Sequence, residues 1–98
     1  MYLKAFKAAG LTPNFPNTLS WDPALIILDA LRHLGDNPTA AQFRDYINAL
    51  HGFAGINGIY DFRDGTQHGV GQNAVVMVQW NPTDQTFTAV SNRSGHVK

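Results

Sequence analysis

The sequence of 98 residues contains no cysteine. That absence excludes a disulfide framework, a cysteine-ligated zinc site and a cysteine nucleophile. It leaves the redox compartment of the protein undetermined, because the lack of cysteine is compatible with a reducing or an oxidising environment.

Charge is scarce and balanced. Seven Lys or Arg and seven Asp or Glu residues give a formal net charge of zero, and charged residues make up 14% of the chain. Such a balance provides neither a basic surface for nucleic acid nor a strong attraction to an anionic membrane. We therefore expect no nucleic-acid partner.

Long apolar runs are missing as well. No segment approaches the roughly 20 apolar residues that a membrane span requires. The first residues, Met1–Phe6, lack the apolar core and the cleavage site of a signal peptide. The sequence thus predicts a chain with no membrane span and no signal peptide of its own.

The longest apolar-periodic stretch, Ser20–Gly35, is the strongest positive signal and predicts a buried helix. Asp22 followed by Pro23 is a plausible N-cap with proline in the first turn, and Gly35 is the expected stop. The start is left open between Asn17 and Asp22. The stripe predicted to face the core consists of Leu25, Leu28, Leu31 and Leu34, widened by Ala24 and Ile27.

Two shorter helices are expected beside it. Tyr2–Ala9 is amphipathic and ends at Gly10. The two prolines in Thr12–Asn17 predict an extended connector. Thr39–Gln42 has the pattern of a capping box, so a third helix should follow to about Leu50 with Phe43, Ile47 and Leu50 as its buried stripe.

The second half of the chain reads as strands and turns. A glycine-rich turn should lead into a strand at Ile59–Phe62, and the best strand pattern is Ala74–Trp80. Thr86–Val90 should pair with it as a hairpin, and Ser91–Lys98 should be a frayed polar tail. The expected fold class is α/β, or α+β if the chain is a fragment: about three helices, a strand and a C-terminal hairpin in one small domain spanning residues 1–98.

No arrangement of residues predicts catalysis or metal binding. The four histidines lack the spacing of metal ligands. Neither Ser20 nor Ser94 lies in a nucleophile elbow. We therefore predict that the chain is not an enzyme, with no catalytic residue, no metal site and no cofactor. Trp21 has two interpretations: it either packs against the start of its helix or forms an aromatic wall of a ligand cleft.

Two groups of motifs resemble a known family. Ser20–Ala24 with Asp29–Gly35, followed by Phe53–Phe62, are similar in order and spacing to the C-terminal part of the type I solute-binding proteins of ABC importers. These form the branched-chain amino acid binding group. Its usual pattern has tyrosine where Trp21 stands here and more often alanine where Pro23 stands.

The resemblance implies that the chain is a fragment of a two-lobed extracytoplasmic or periplasmic protein, which binds an amino acid or similar solute between its lobes and delivers it to a membrane permease. It implies that residues up to about Phe62 belong to one lobe, that His68–Gly71 is a crossover, and that the final hairpin completes the other lobe. Trp21 is then expected near the ligand cleft, followed by Asp22 and Phe15.

Two expectations about partners follow. A fragment of this kind would expose apolar residues at Leu25, Leu28 and Val75–Val78, and a hinge at Gly69–Gly71 would allow the hairpin to exchange, so a strand-swapped or sheet-extended homodimer is expected. The alternative function is a free-standing small α+β domain that mediates protein association.

Overall fold

The computed structural model describes residues 1–65 and 68–96. These residues form a mixed α+β structure with two separate antiparallel two-stranded sheets. The elements are α1 (Tyr2–Ala8), α2 (Phe15–Leu34), α3 (Ala40–Ala49), β1 (His51–Ala54), β2 (Ile59–Asp61), β3 (Val78–Asn81) and β4 (Thr86–Ala89). Within the described ranges, no helix combines the length and the apolar character needed to cross a membrane. The expectation of three helices and a C-terminal hairpin is confirmed at this level.

Helix α2 begins seven residues before the predicted Asp22 cap. The Asn14 side chain accepts a hydrogen bond from the Asn17 backbone N–H at 3.2 Å, and the Asn17 side chain accepts one from the Asn14 N–H at 3.0 Å. This reciprocal capping box, with a proline in the first turn, starts the helix within the predicted Thr12–Asn17 connector. Pro23 therefore lies inside the helix, and the predictions that Asp22 caps it and that Pro23 opens it were wrong.

The buried face of α2 also differs from the predicted leucine stripe. Asp22, Ile26 and Ala30, spaced four residues apart, are its buried residues, whereas Leu28 is 47% exposed. The stripe prediction was wrong because the chain folds its hairpin turn onto Asp22, which turns that side of the helix inward. Leu31 is exposed as well, and Leu25 and Leu34 are half-buried.

Helix α3 confirms the predicted capping box. The Gln42 backbone N–H donates to the Thr39 hydroxyl oxygen at 3.2 Å, and the Thr39 N–H donates to the Gln42 side-chain oxygen at 2.9 Å. The helix ends at Ala49, within one residue of the predicted end. Its predicted inner residues, Phe43, Ile47 and Leu50, are half-buried.

A polar contact joins α2 to α3. The Tyr46 hydroxyl donates to Asp29 Oδ2 at 2.5 Å and lies 3.0 Å from His33 Nδ1. The hydrogen bond to the Asp29 carboxylate, together with desolvation and the nearby negative charge, raises the pKa of Tyr46 to about 12. The neutral phenol is therefore favoured in the folded protein.

We expect Tyr46→Phe to lower the free energy of unfolding by only ~0.5–1 kcal/mol at pH 7, because the contact is only partly buried and water competes for the same groups. Since the folded pKa lies above the unfolded value, the contribution is complete below about pH 10 and is lost as the pH rises towards 12. Urea unfolding of both proteins at pH 7 and at pH 11 measures this. An equal difference at both pH values would contradict the assigned contact.

The first hairpin contains a strand that the sequence did not predict. β1 pairs with β2 antiparallel, with Phe53 opposite Tyr60, and the register shifts between His51 and Phe53. Gly52, at φ +66°, is the extra residue of this bulge, a conformation that glycine adopts without steric cost. The predicted strand Ile59–Phe62 is confirmed for Ile59–Asp61.

The second hairpin is shorter than predicted. The strand expected over Ala74–Trp80 begins only at Val78, because residues 72–74 form a short 3-10 turn. Met77 precedes the strand and accepts a hydrogen bond from the Val90 N–H at 2.9 Å. β3 pairs with β4 with Trp80 opposite Phe87. β4 ends at Ala89, one residue before the predicted end at Val90.

The tail is better ordered than expected up to His96. Ser91 is buried, and its hydroxyl oxygen accepts a hydrogen bond from the Met77 N–H at 2.7 Å. The Ser94 hydroxyl donates to the Asn73 side chain at 2.9 Å. The prediction of a frayed tail from Ser91 was therefore wrong for Ser91–His96, and its last two residues lie outside the described residues.

The molecule is flat and extended. Its principal extents are 52 × 35 × 16 Å and its radius of gyration is 16.5 Å, against about 13 Å for a compact chain of this length. The buried apolar residues are few: Tyr2, Ile26, Ala30 and Tyr60. Leu28 and Val75–Val78 are exposed, as the fragment interpretation expects, whereas Leu25, which that interpretation also expects to be exposed, is half-buried.

Candidate functional site

The buried centre of the molecule is the Asp22 carboxylate. Its side chain is fully buried, at 0% exposure, although aspartate is rarely enclosed unless its oxygens are paired. Oδ1 accepts a hydrogen bond from the Ile56 backbone N–H at 2.9 Å, and Oδ2 accepts one from the Asn57 N–H at 2.9 Å. Asp22 therefore holds the turn between β1 and β2 against the middle of α2.

Two side chains complete this network. The Tyr60 hydroxyl donates to Asp22 Oδ2 at 3.0 Å, and the Asn57 amide donates to the same oxygen at 3.2 Å. The Asn57 amide also donates to the Thr18 carbonyl at 3.1 Å, one turn earlier in α2. Burial, followed by the hydrogen bond to Asp22, raises the pKa of Tyr60.

Gly55 leaves the space that the carboxylate occupies. A Cβ atom at this position would overlap with the Asp22 side chain, whereas the Gly55 N–H donates to the Gly58 carbonyl at 2.9 Å and closes the turn. Glycine is therefore required here by close approach. The same turn contacts the segment that follows the first hairpin, because Val70 and Ala74 lie against Gly58.

Beside this network lies a groove of about 570 Å³, here called the Phe15 groove. One wall comes from the first turns of α2 and from the first hairpin, and the other comes from residues 68–75, which follow the hairpin. Its lining combines apolar side chains with a few polar groups, as is usual in small-molecule sites. The lining residues are Phe15, Leu19, Asn57, Tyr60, His68, Val70, Gly71, Gln72, Ala74 and Val75.

The three residues predicted at a ligand site have different positions. Phe15 lines the groove with 71% of its surface exposed. Asp22 lies behind the groove, in contact with two of its lining residues, Asn57 and Tyr60. Trp21 lies inside α2 and packs edge-to-face on Tyr2 of α1, with ring centroids 5.2 Å apart, so it neither packs against the start of its own helix nor lines the groove. The structure thus brings Phe15 and Asp22 to one region and places Trp21 in the α1–α2 contact.

Asn57 and Tyr60 were not recognised as site residues from the sequence. The sequence does indicate that the turn Gly55–Gly58 needs a partner, because its backbone N–H groups must find acceptors when they are buried. What the sequence does not contain is the pairing of that turn with a residue more than 30 positions earlier.

A second, more polar cavity of about 540 Å³ lies beyond β2, and Asp61 and Arg63 are among its lining residues. Arg63 binds Asp61 through two nitrogens, at 3.0 and 2.6 Å. This side-chain pairing lowers the pKa of Asp61 to about 2, so the carboxylate stays ionised through the physiological range. Because the two charges satisfy each other, this cavity offers a weaker site for a charged ligand than its composition suggests.

No group of histidine or acidic residues in the described part of the chain is arranged to hold a metal ion. Comparisons with family models, with curated proteins and with solved structures found no match for the chain.

Proposed function

We propose that this chain is part of the substrate-binding component of an ABC importer, and that the solute is a branched-chain amino acid or a similar small molecule. The position of the Phe15 groove carries this proposal. One wall comes from the segment before Phe62, which the motif resemblance assigns to one lobe, and the other comes from residues 68–75, which begin with the crossover predicted at His68–Gly71 and lead to the hairpin assigned to the other lobe. A ligand held between lobes would contact both.

The chemistry of the groove supports an amphipathic ligand. Phe15, Leu19, Val70 and Val75 provide apolar surface for an aliphatic side chain, while His68 and Gln72 provide hydrogen-bonding groups. The amide N–H groups of Asn57 already donate to Thr18 and Asp22. The Tyr60 hydroxyl is already bound to Asp22, so its ring serves as apolar surface. The type I fold of this family is part of the proposal, and the order of three helices followed by a C-terminal hairpin supports it.

A component of this kind would work in the periplasm or outside the cytoplasmic membrane and would deliver its ligand to a membrane permease. The exposed apolar surface equally favours the second candidate, a free-standing α+β domain that associates with another protein. Ligand binding distinguishes the two.

The experiment uses the gene product that contains this sequence. We expect isothermal titration calorimetry to detect binding of leucine, isoleucine or valine, and Phe15→Ala to raise the dissociation constant at least tenfold, because the aromatic wall of the groove is lost. Leu11→Ala is the matched control, since Leu11 is also exposed and lies outside the groove lining.

Equal affinities for the two variants would exclude the Phe15 groove as the site. The absence of binding to any of the three amino acids would favour the protein-association function.

A further inference from the structure

The turn of the first hairpin contains the only Asn–Gly pair in the sequence, Asn57–Gly58. Asparagine is a chemically labile residue, and its side-chain amide is lost most readily when glycine follows it. Glycine has no Cβ atom to shield its backbone nitrogen, and its free backbone can bring that nitrogen to the asparagine Cγ atom. The turn that binds Asp22 therefore carries a reactive pair.

The reaction of such a pair is an attack of the chain on itself. The Gly58 nitrogen loses its proton to hydroxide and forms a bond to Asn57 Cγ, while the bond from Cγ to Nδ2 breaks and the nitrogen takes up a proton and leaves as ammonia. Water then opens the cyclic imide at either of its two carbonyl groups, which gives aspartate or isoaspartate. The net change consumes water and releases ammonia, so it needs no enzyme, oxidant or reductant.

The folded protein holds Asn57 on both its side chain and its backbone. The amide Nδ2 donates to the Thr18 carbonyl at 3.1 Å and to Asp22 Oδ2 at 3.2 Å. The backbone N–H of Asn57 donates to Asp22 Oδ2 at 2.9 Å. Ring closure requires that the side chain and the turn rotate freely, and these hydrogen bonds restrain both. The pair becomes reactive when the first hairpin opens away from α2.

The contacts of the turn also favour these two residue types. An added Cβ atom at Gly58 would lie 3.2 Å from the Ala74 Cβ and 3.3 Å from Val70 Cγ1, closer than ordinary contacts. At Asn57 the amide supplies two donors to two acceptors of α2, which a carboxylate cannot do. The fold therefore places the labile pair where it binds α2.

We propose that Asn57–Gly58 is a self-modification site, which reacts when the first hairpin opens from α2 and then prevents the hairpin from closing again. In aspartate, an oxygen replaces the amide nitrogen and faces the Asp22 carboxylate and the Thr18 carbonyl, where donors are required. The two neighbouring carboxylates also repel each other.

Isoaspartate disrupts the turn itself. It inserts a methylene group into the backbone before Gly58, whose carbonyl accepts a hydrogen bond from the Gly55 N–H at 2.9 Å and closes the turn. Either product therefore converts a reversible opening into a permanent one. Asn57 also lines the Phe15 groove, so a modified chain loses part of that wall whatever the groove binds.

Peptide mapping by mass spectrometry at pH 8 tests the site in the gene product that contains this sequence. We expect Asn57 to lose its amide at least about tenfold faster in urea-unfolded than in folded protein, because unfolding removes the restraining hydrogen bonds. Both aspartate and isoaspartate should appear, which distinguishes the cyclic imide from direct hydrolysis. Asn48, which is exposed on α3 and precedes alanine, is the internal control and should stay intact in both states.

Asn57→Asp reproduces one product and tests the effect on the fold. In urea unfolding we expect it to lower the equilibrium constant for folding at least about tenfold, because a buried acceptor replaces two donors. Asn48→Asp, the same change at an exposed position, should stay within about threefold of the wild type. An Asn57→Asp chain that does not fold at all agrees with the proposal.

Three results would overturn the proposal. Equal rates of amide loss in folded and unfolded protein would show that the contacts with α2 do not control the reaction. Unfolded chains without isoaspartate at position 57 would exclude attack by the Gly58 nitrogen. An Asn57→Asp variant as stable as the wild type would show that the modified hairpin closes normally.

Discussion

Replacing Asp22 with asparagine is expected to lower the free energy of unfolding by about 2–3 kcal/mol, a large share of the stability of a small domain. The substitution keeps the shape of the side chain but turns one acceptor into a donor. That donor would face the N–H groups of Ile56 or Asn57, which now point at the carboxylate. A buried donor that has no acceptor destabilises the folded state by the full free energy of its desolvation.

Urea unfolding followed by circular dichroism measures this effect. Asp45→Asn provides the matched control, because Asp45 is exposed on α3 and undergoes the same chemical change. We expect the control to differ from wild type by at most about 0.5 kcal/mol. A loss below about 1 kcal/mol for Asp22→Asn would contradict the central role assigned to the carboxylate.

Gly55→Ala should be the second most damaging change. The backbone of Gly55 lies outside the left-handed region, so alanine meets no conformational barrier there, but its Cβ would overlap with the Asp22 carboxylate. Overpacking of this kind costs about 1–3 kcal/mol, and the carboxylate must also move away from its donors. The same urea experiment gives the magnitude.

Gly71→Ala is the control for Gly55→Ala. Gly71 has φ −92° and no neighbour within 4 Å of an added Cβ, so alanine should leave the stability unchanged or raise it by up to about 1 kcal/mol. In an Asp22→Ala background, Gly55→Ala should cost at least about 1 kcal/mol less than in the wild type, because the obstructing side chain is gone. If the destabilisations by Asp22→Ala and Gly55→Ala were additive, the added Cβ of residue 55 would not be clashing with the Asp22 side chain.

Local signals in the sequence were sufficient for some of the fold. The capping box at Thr39 and Gln42 operates within four residues, so the start of α3 was predictable. The hairpin of β3 and β4 followed from alternating residues and a proline-containing turn. Interactions between residues close in sequence were thus sufficient to predict the three helices and the C-terminal hairpin.

The early start of α2 was missed although its signal is local, because the capping box of Asn14 and Asn17 lies among prolines that indicate a connector. The error in the buried face of α2 has another cause, which is that a distant contact overrides a local pattern. Asp22 beside Pro23 has the local pattern of a helix cap, but its partners, Asn57 and Tyr60, lie more than 30 residues away. That contact turns Ile26 and Ala30 inward and leaves Leu28 exposed, against the periodicity of the leucines. The candidate site was predictable only through Phe15, because the other groove residues meet through tertiary contacts.

The separation between Asp22 and the turn it holds has a consequence for folding kinetics. The capping boxes at Asn14 and Thr39 close within three residues, whereas the Asp22–Asn57 contact closes a loop of 35. Each doubling of loop length adds about 0.6 kcal/mol to the entropic cost of closing the loop. The helical turns should therefore form early, and the hydrogen bonds between Asp22 and the turn of the first hairpin should form late. Variants at Asp22 should then accelerate unfolding far more than they slow folding, and the lifetime of the native state depends on a single carboxylate.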